Sequence, residues 1–98
     1  MTLSVSFRTA ARTEVQEATD WYAANLASLA EQFVTEVDRV VVRIAEGAQQ
    51  FPVVFKDIRR ARLRRFPYAL FFRIKPDGLH VLACYHSSRN PLRWQERH

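Results

Sequence analysis

The feature that most constrains this chain is a change of hydrophobic period near Phe51-Pro52. Before it, apolar residues recur at helical spacing. Ala11, Val15, Ala18 and Tyr22 step by four, three and four, with Trp21 beside Tyr22. Leu29, Phe33, Val37, Val40 and Ile44 then hold one face to about Ala45,. After it, the period drops to two. Arg60-Ala61-Arg62-Leu63-Arg64 alternates strictly, and Leu70, Phe72 and Ile74 alternate with Phe71, Arg73 and Lys75,. A sequence with a helical period cannot settle as a strand, or the reverse. The chain must therefore place a helical hairpin against a sheet.

Local signals set the boundaries. Leu3, Val5 and Phe7 alternate with Ser4, Ser6 and Arg8, which predicts a short first strand. Thr9 can cap the first helix, and Asn25 can end it,. Ser28-Leu29-Ala30-Glu31 has the form of a capping box for the second helix, and Gly47 stops that helix,. Phe66-Pro67-Tyr68 marks a turn. Pro76-Asp77-Gly78 marks a tighter one, in which Pro presets φ and Gly accepts φ > 0,. Leu79 to Tyr85 is almost wholly apolar, as a central strand covered on both faces would be,. Pro91 permits a short terminal turn or helix from Leu92 to Glu96. The order is β-α-α-β-β-β. This predicts an α+β domain over residues 1–98, with the hairpin covering one face of a mostly antiparallel, four-stranded, twisted sheet. The first strand joins an edge or inserts beside a later strand.

Composition narrows the function. The 98 residues carry a net charge of +5 and a sequence pI near 10.1, and 13 of the 15 basic residues are Arg. The charge is dipolar along the chain. Residues 1–55 hold four basic and seven acidic side chains, a net −3; residues 56–98 hold eleven and three, a net +8. Arg matches phosphate and carboxylate groups bidentately. The C-terminal half is therefore the half that docks an anion. Cys84 is the only cysteine, which excludes a disulfide framework and a Cys-based zinc site,. The histidines lack metal-ligand spacing with it, so neither metal nor cofactor is expected. No apolar run reaches the roughly 20 residues of a membrane span. The first residues lack the apolar stretch of a signal peptide. The expectation is a cytoplasmic protein with no membrane role.

The candidate site is cationic. Arg60, Arg62 and Arg64 share a strand face if the pleat is regular, Arg65 follows at the turn, and Arg73 joins them across the hairpin,. His86, Arg89, Arg93 and Arg97 follow the last strand. One reading is an anion site for RNA, DNA or an acidic protein segment; the other is a solvated sheet face. His86 has the pKa for proton transfer near neutrality, or it is a structural histidine bonded to a strand end. The basic half offers only Asp57, Asp77 and Glu96 as carboxylates. A Glu base beside a His acid would have to be Glu96, or Glu46 from the helix end; that weakens an acid–base pair and favours Arg-based charge stabilisation as the chemistry. Most aromatics belong to the core, but Phe71 shares the arginine side if Leu70, Phe72 and Ile74 face inward, which makes it partner-facing. Trp94 is a further candidate contact.

The Trp21-Tyr22 pair, Arg64-Arg65-Phe66-Pro67-Tyr68 entering a strand, and His86-x-x-Arg89-x-Pro91-x-x-Trp94 stand in an order and spacing that resemble the RelE/ParE toxin superfamily, over roughly residues 3 to 97. The resemblance implies the toxin half of a type II toxin–antitoxin pair, a growth inhibitor neutralised by an antitoxin segment that is acidic or amphipathic. In that frame Arg60, Arg62, Arg64, Phe71, Arg73, Arg89, Arg93 and Trp94 are binding candidates. The ending resembles ParE-like and plasmid-stabilisation relatives, which act on DNA gyrase and are not nucleases. The alternative is a RelE-like, metal-independent endoribonuclease acting on mRNA at the ribosome. Its catalytic set would be Arg62, Arg64, Arg65, Arg73, His86 and Arg89. Arg62, Arg64 or Arg65, and Arg73 occupy strand positions comparable to that branch's site, but its lysines are largely replaced or missing and no Tyr follows residue 85.

Overall fold

A computed structural model describes residues 3–88. The elements are β1 (Val5–Phe7), α1 (Thr9–Asn25), α2 (Ala27–Gly47), a 3-10 turn (Ala48–Gln50), β2 (Val53–Phe55), β3 (Ile58–Arg62), β4 (Tyr68–Lys75) and β5 (Gly78–His86). The α+β order holds, but the sheet has five strands, not four. The additional strand is β2. It has three residues without alternation, follows Pro52, and turns into β3 through Lys56 and Asp57, with Lys56 at φ 52°. So short a run gives no periodic signal.

The helical hairpin closes more tightly than its capping residues suggest. A single extended residue, Leu26, links the helices. Its amide donates to the Tyr22 carbonyl (2.8 Å), and its carbonyl accepts from the Leu29 amide (2.9 Å). Leu26 thus ends one helix and begins the next. Ser28 falls inside the first turn of α2, and the predicted capping box does not form. Thr9 is likewise the first helical residue and not a cap; extended Arg8 precedes it. The helix ends at Asn25 and Gly47 are as predicted.

The sheet order is β1-β5-β4-β3-β2, antiparallel except for β1, which runs parallel to β5 at the edge. Gly78 opens β5 at φ 135°, and a Cβ there would meet Ser4 Oγ at 2.7 Å and Ser4 O at 2.8 Å. Only glycine accommodates both the turn and the close passage of β1.

A bulge decides which side chains are covered. Phe71 pairs with Ala83 but Phe72 pairs with Val81, so Leu82 is an extra residue on β5,. Leu79, Val81 and Cys84 join the core beneath the helices, with Ala11, Ala18, Tyr22, Phe33, Val37, Val40, Ile44, Leu70 and Phe72. Leu82, Ala83 and Tyr85 face the other way. With Ile58, Ala69 and Phe71 they form a second buried cluster, to which no helix contributes. The expectation that β5 is covered on both faces holds. The expectation that Phe71 is partner-facing fails: it does lie on the arginine side, opposite Arg60, but at 7% exposure it is packed.

Tyr22, Phe33, Phe66 and Tyr68 close one end of the main core, with ring centroids 5.0 to 6.3 Å apart. These rings anchor the β3–β4 turn (63–67) against the hairpin. Trp21 is outside this core, 60% exposed, with its ring edge-on to Tyr22.

Candidate functional site

The structure disperses the predicted cationic cluster over three places. Arg60 and Arg62 project from β3 on the face away from the helices, across from Phe71 and Ala69. Arg62 is exposed and Arg60 half-buried. Arg64 does not continue their row, because β3 ends at Arg62 and the chain turns. Arg64 and Arg65 stand exposed on that turn, Arg65 at φ 68°. Arg73 is buried at 8%, with its Nη2 donating to Asp57 Oδ1 at 2.8 Å. Sixteen residues separate the pair, and the β2–β3 turn brings Asp57 to it. Arg73 is therefore a member of the fold first, and its cation is not displayed beside Arg62.

His86 lies on the helix-covered face, opposite the side that carries Arg60 and Arg62. It pairs with Tyr68 across the ladder, ring edge against ring face at 5.1 Å. Its Nδ1 accepts the Ser88 amide at 3.1 Å and lies 2.7 Å from Ser88 Oγ. An amide can only donate, so the proton of the neutral ring sits on Nε2. The imidazole lines a cleft of about 200 Å³ with Glu14, Glu17, Trp21, Tyr68 and Tyr85. Glu14 and Glu17 are functional candidates that the sequence hid. They lie one turn of α1 apart around buried Ala18, and only the docking of α1 on β5 brings them to His86. Glu14 also accepts the Cys84 amide at 3.0 Å, beyond the last residue that β1 reaches. Burial pushes the Cys84 thiol up to about 12, with the Glu14 charge adding to it, so that thiol is no nucleophile,. Burial also raises the Tyr22 hydroxyl, assisted by Tyr68 and Cys84.

A second groove, about 470 Å³, runs between α2 and the β3–β4 turn. Glu31, Gln32, Thr35, Glu36, Arg39, Arg64 and Arg65 line it. Glu36 was also hidden, since its partner Arg64 is 28 residues away. At the opposite end of β5, His80 lies 2.9 Å from Asp77 and holds that carboxyl below its usual range. Arg89, Arg93, Trp94, Arg97 and the predicted terminal turn lie outside the described residues. Among the described residues no group of three His, Cys, Asp or Glu side chains gathers to hold a metal ion. No helix among them is long and apolar enough to cross a membrane.

A helical hairpin on one face of a small sheet, with basic side chains on the other face and at the β3–β4 turn, defines the chain as a small two-layer α+β domain with an arginine-bearing surface. The comparisons name the family. The model for the ParE toxin of the type II toxin–antitoxin system, parDE, matches residues 5–91, and the chain belongs to that family. The fold is shared with a solved structure of the chromosomal ParDE toxin–antitoxin system from P. aeruginosa, at a TM-score of 0.76 and 20% identity, covering 87% of this chain and 96% of that one. No curated protein matches the sequence.

Proposed function

We propose that this chain is the growth-inhibiting toxin of a type II pair, that it acts in the cytoplasm on DNA gyrase, and that a cognate antitoxin neutralises it. Membership of the ParE toxin family supports the toxin role. The observation that supports a binding mode over cleavage of RNA is the dispersal of the cations. A phosphoryl transition state needs charge-stabilising groups converging on one point. Here Arg60 and Arg62 lie on one face of the sheet, His86 lies on the other among Glu14 and Glu17, and Arg73 is tied to Asp57. A surface so divided suits an extended protein partner better than a single scissile phosphate.

The antitoxin partner is the natural complement of the exposed arginines. An acidic or amphipathic segment laid across Arg62, Arg64 and Arg65 would order on binding and bury charge against charge. The test is induced expression, with RNA integrity and plasmid supercoiling read from the same culture. Arrest with intact mRNA and altered supercoiling supports the proposal. Transcripts cut at ribosome-bound codons would replace it with the endoribonuclease alternative, and unimpaired growth would overturn the toxin role.

A further inference from the structure

We infer that Glu36 is a positioning residue whose carboxylate holds the β3–β4 turn so that Arg64 and Arg65 are presented to an acidic surface of the toxin's target. The role in target binding rests on the toxin reading above; the role in holding the turn does not.

Three bonds converge on this carboxylate. Oε1 accepts Arg39 Nε at 2.7 Å, and Oε2 accepts Arg39 Nη2 at 2.7 Å, a bidentate fork within α2,. Oε2 also accepts the backbone amide of Arg64 at 2.5 Å, across the groove between helix and turn. The Arg64 amide lies two residues past the end of β3, where the ladder no longer supplies a partner. Glu36 is thus the helix side chain that receives the chain as it leaves the sheet. Its side chain is 12% exposed, and Arg39 fixes its orientation.

The turn needs such a fixture. Arg65 adopts φ 68°, a left-handed conformation unusual for a side chain of this kind, which persists where neighbours over-determine it,. On one side the Glu36 carboxylate holds the preceding amide. On the other, Phe66 is buried against Tyr22 and Phe33. Between these two anchors Arg64 and Arg65 stand exposed along the groove. The remaining charged groups facing Glu36 are Glu31 and Arg39 on α2 and Arg64 and Arg65 on the turn. The Arg39 fork, and then the Arg64 amide, lower the Glu36 carboxyl against the opposing effect of burial, so it is ionised at neutral pH.

The experiment is amide hydrogen exchange and proton NMR on the full chain, in wild type and in Glu36→Gln, paired with growth inhibition. Glu36→Gln keeps the shape but loses the charge and half of the fork. Arg64 exchange should accelerate at least tenfold, while β4 and β5 amides stay protected. In wild type the Arg64 amide shift should titrate below pH 4.5 as Glu36 takes up a proton. In Glu36→Gln that titration should vanish. Growth inhibition should fall by tenfold or more, to the level of Arg64→Ala combined with Arg65→Ala. Unchanged exchange at Arg64 would overturn the inference. So would fast exchange with wild-type growth inhibition, which would show that Glu36 holds the turn in the wild type but that the target does not read it. A wild-type chain that leaves growth unaffected overturns the toxin reading instead, and the exchange arm alone then decides whether Glu36 holds the turn.

Discussion

Replacing Phe33 with alanine tests how the hairpin is joined to the sheet. Phe33 is fully buried, and its ring meets Tyr22 at 5.3 Å, Phe66 at 5.3 Å and Tyr68 at 5.4 Å, two of the three contacts edge-on. One ring therefore bridges α1, the β3–β4 turn and β4. Truncating a core Phe costs about 3–5 kcal/mol through lost transfer energy and the cavity left behind. A chain of this size has only about 5–15 kcal/mol of total stability. Each kcal/mol lowers Tm by roughly 4–8 °C in a domain of this length, so the expected fall is at least about 12 °C. Urea unfolding followed by circular dichroism gives the free energy directly. Trp21→Ala is the control: it removes a larger aromatic one helical position from Tyr22, but one that is 60% exposed, and it should cost about 1 kcal/mol or less. A loss below about 1 kcal/mol for Phe33→Ala, or equal losses for the two variants, would refute the ring cluster as the clamp.

Gly78→Ala should destabilise by about 1–3 kcal/mol in urea melts, because φ 135° is barred to a side chain and Ser4 leaves no room for a Cβ,. The Cys84 thiol should resist thiol-specific dyes at pH 8 until urea unfolds the chain. Its folded pKa lies above the ordinary 9.0, so the contribution is complete below pH 9 and is lost as pH climbs towards 12,; urea midpoints at pH 7 and pH 10 check the sign. Arg73→Ala should cost about 1–3 kcal/mol by removing a buried guanidinium and its part-buried, charge-assisted bond to an exposed Asp57,. Arg62→Ala should leave Tm within a few degrees and still weaken binding to an acidic partner, which calorimetry on the purified pair can separate.

Periodicity alone revealed most of the architecture, because Ala11, Ala18, Tyr22, Phe33, Val37, Val40 and Ile44 face the sheet as their spacing requires. It failed where a contact spans the chain. Alternation placed Arg64 in line with Arg60 and Arg62, but strand pairing stops at Arg62 and Glu36 takes the next free amide. Alternation also put Phe71 with the arginines, correctly as to face. It could not show that the bulge at Leu82 creates a second apolar cluster on that face. Arg73 looked like a displayed cation because Asp57 lies in a turn after a strand too short to detect. Sequence offers Glu96, outside the described residues, or Glu46 at the end of α2 as the carboxylate beside His86, whereas the cleft is lined by Glu14 and Glu17 of α1. Charge in sequence is therefore a poor guide to charge in space when a helical hairpin folds back over the sheet.

The proposed activity of this ParE-family chain is inhibition of DNA gyrase by binding, through an arginine-bearing surface that the proposed antitoxin would cover. The direct measurement is supercoiling of relaxed plasmid by purified gyrase with increasing amounts of the purified chain. The account predicts loss of supercoiling at stoichiometric excess, its recovery when the cognate antitoxin is added, and weaker inhibition by Arg64→Ala combined with Arg65→Ala. Normal supercoiling in the presence of excess, correctly folded chain would contradict it.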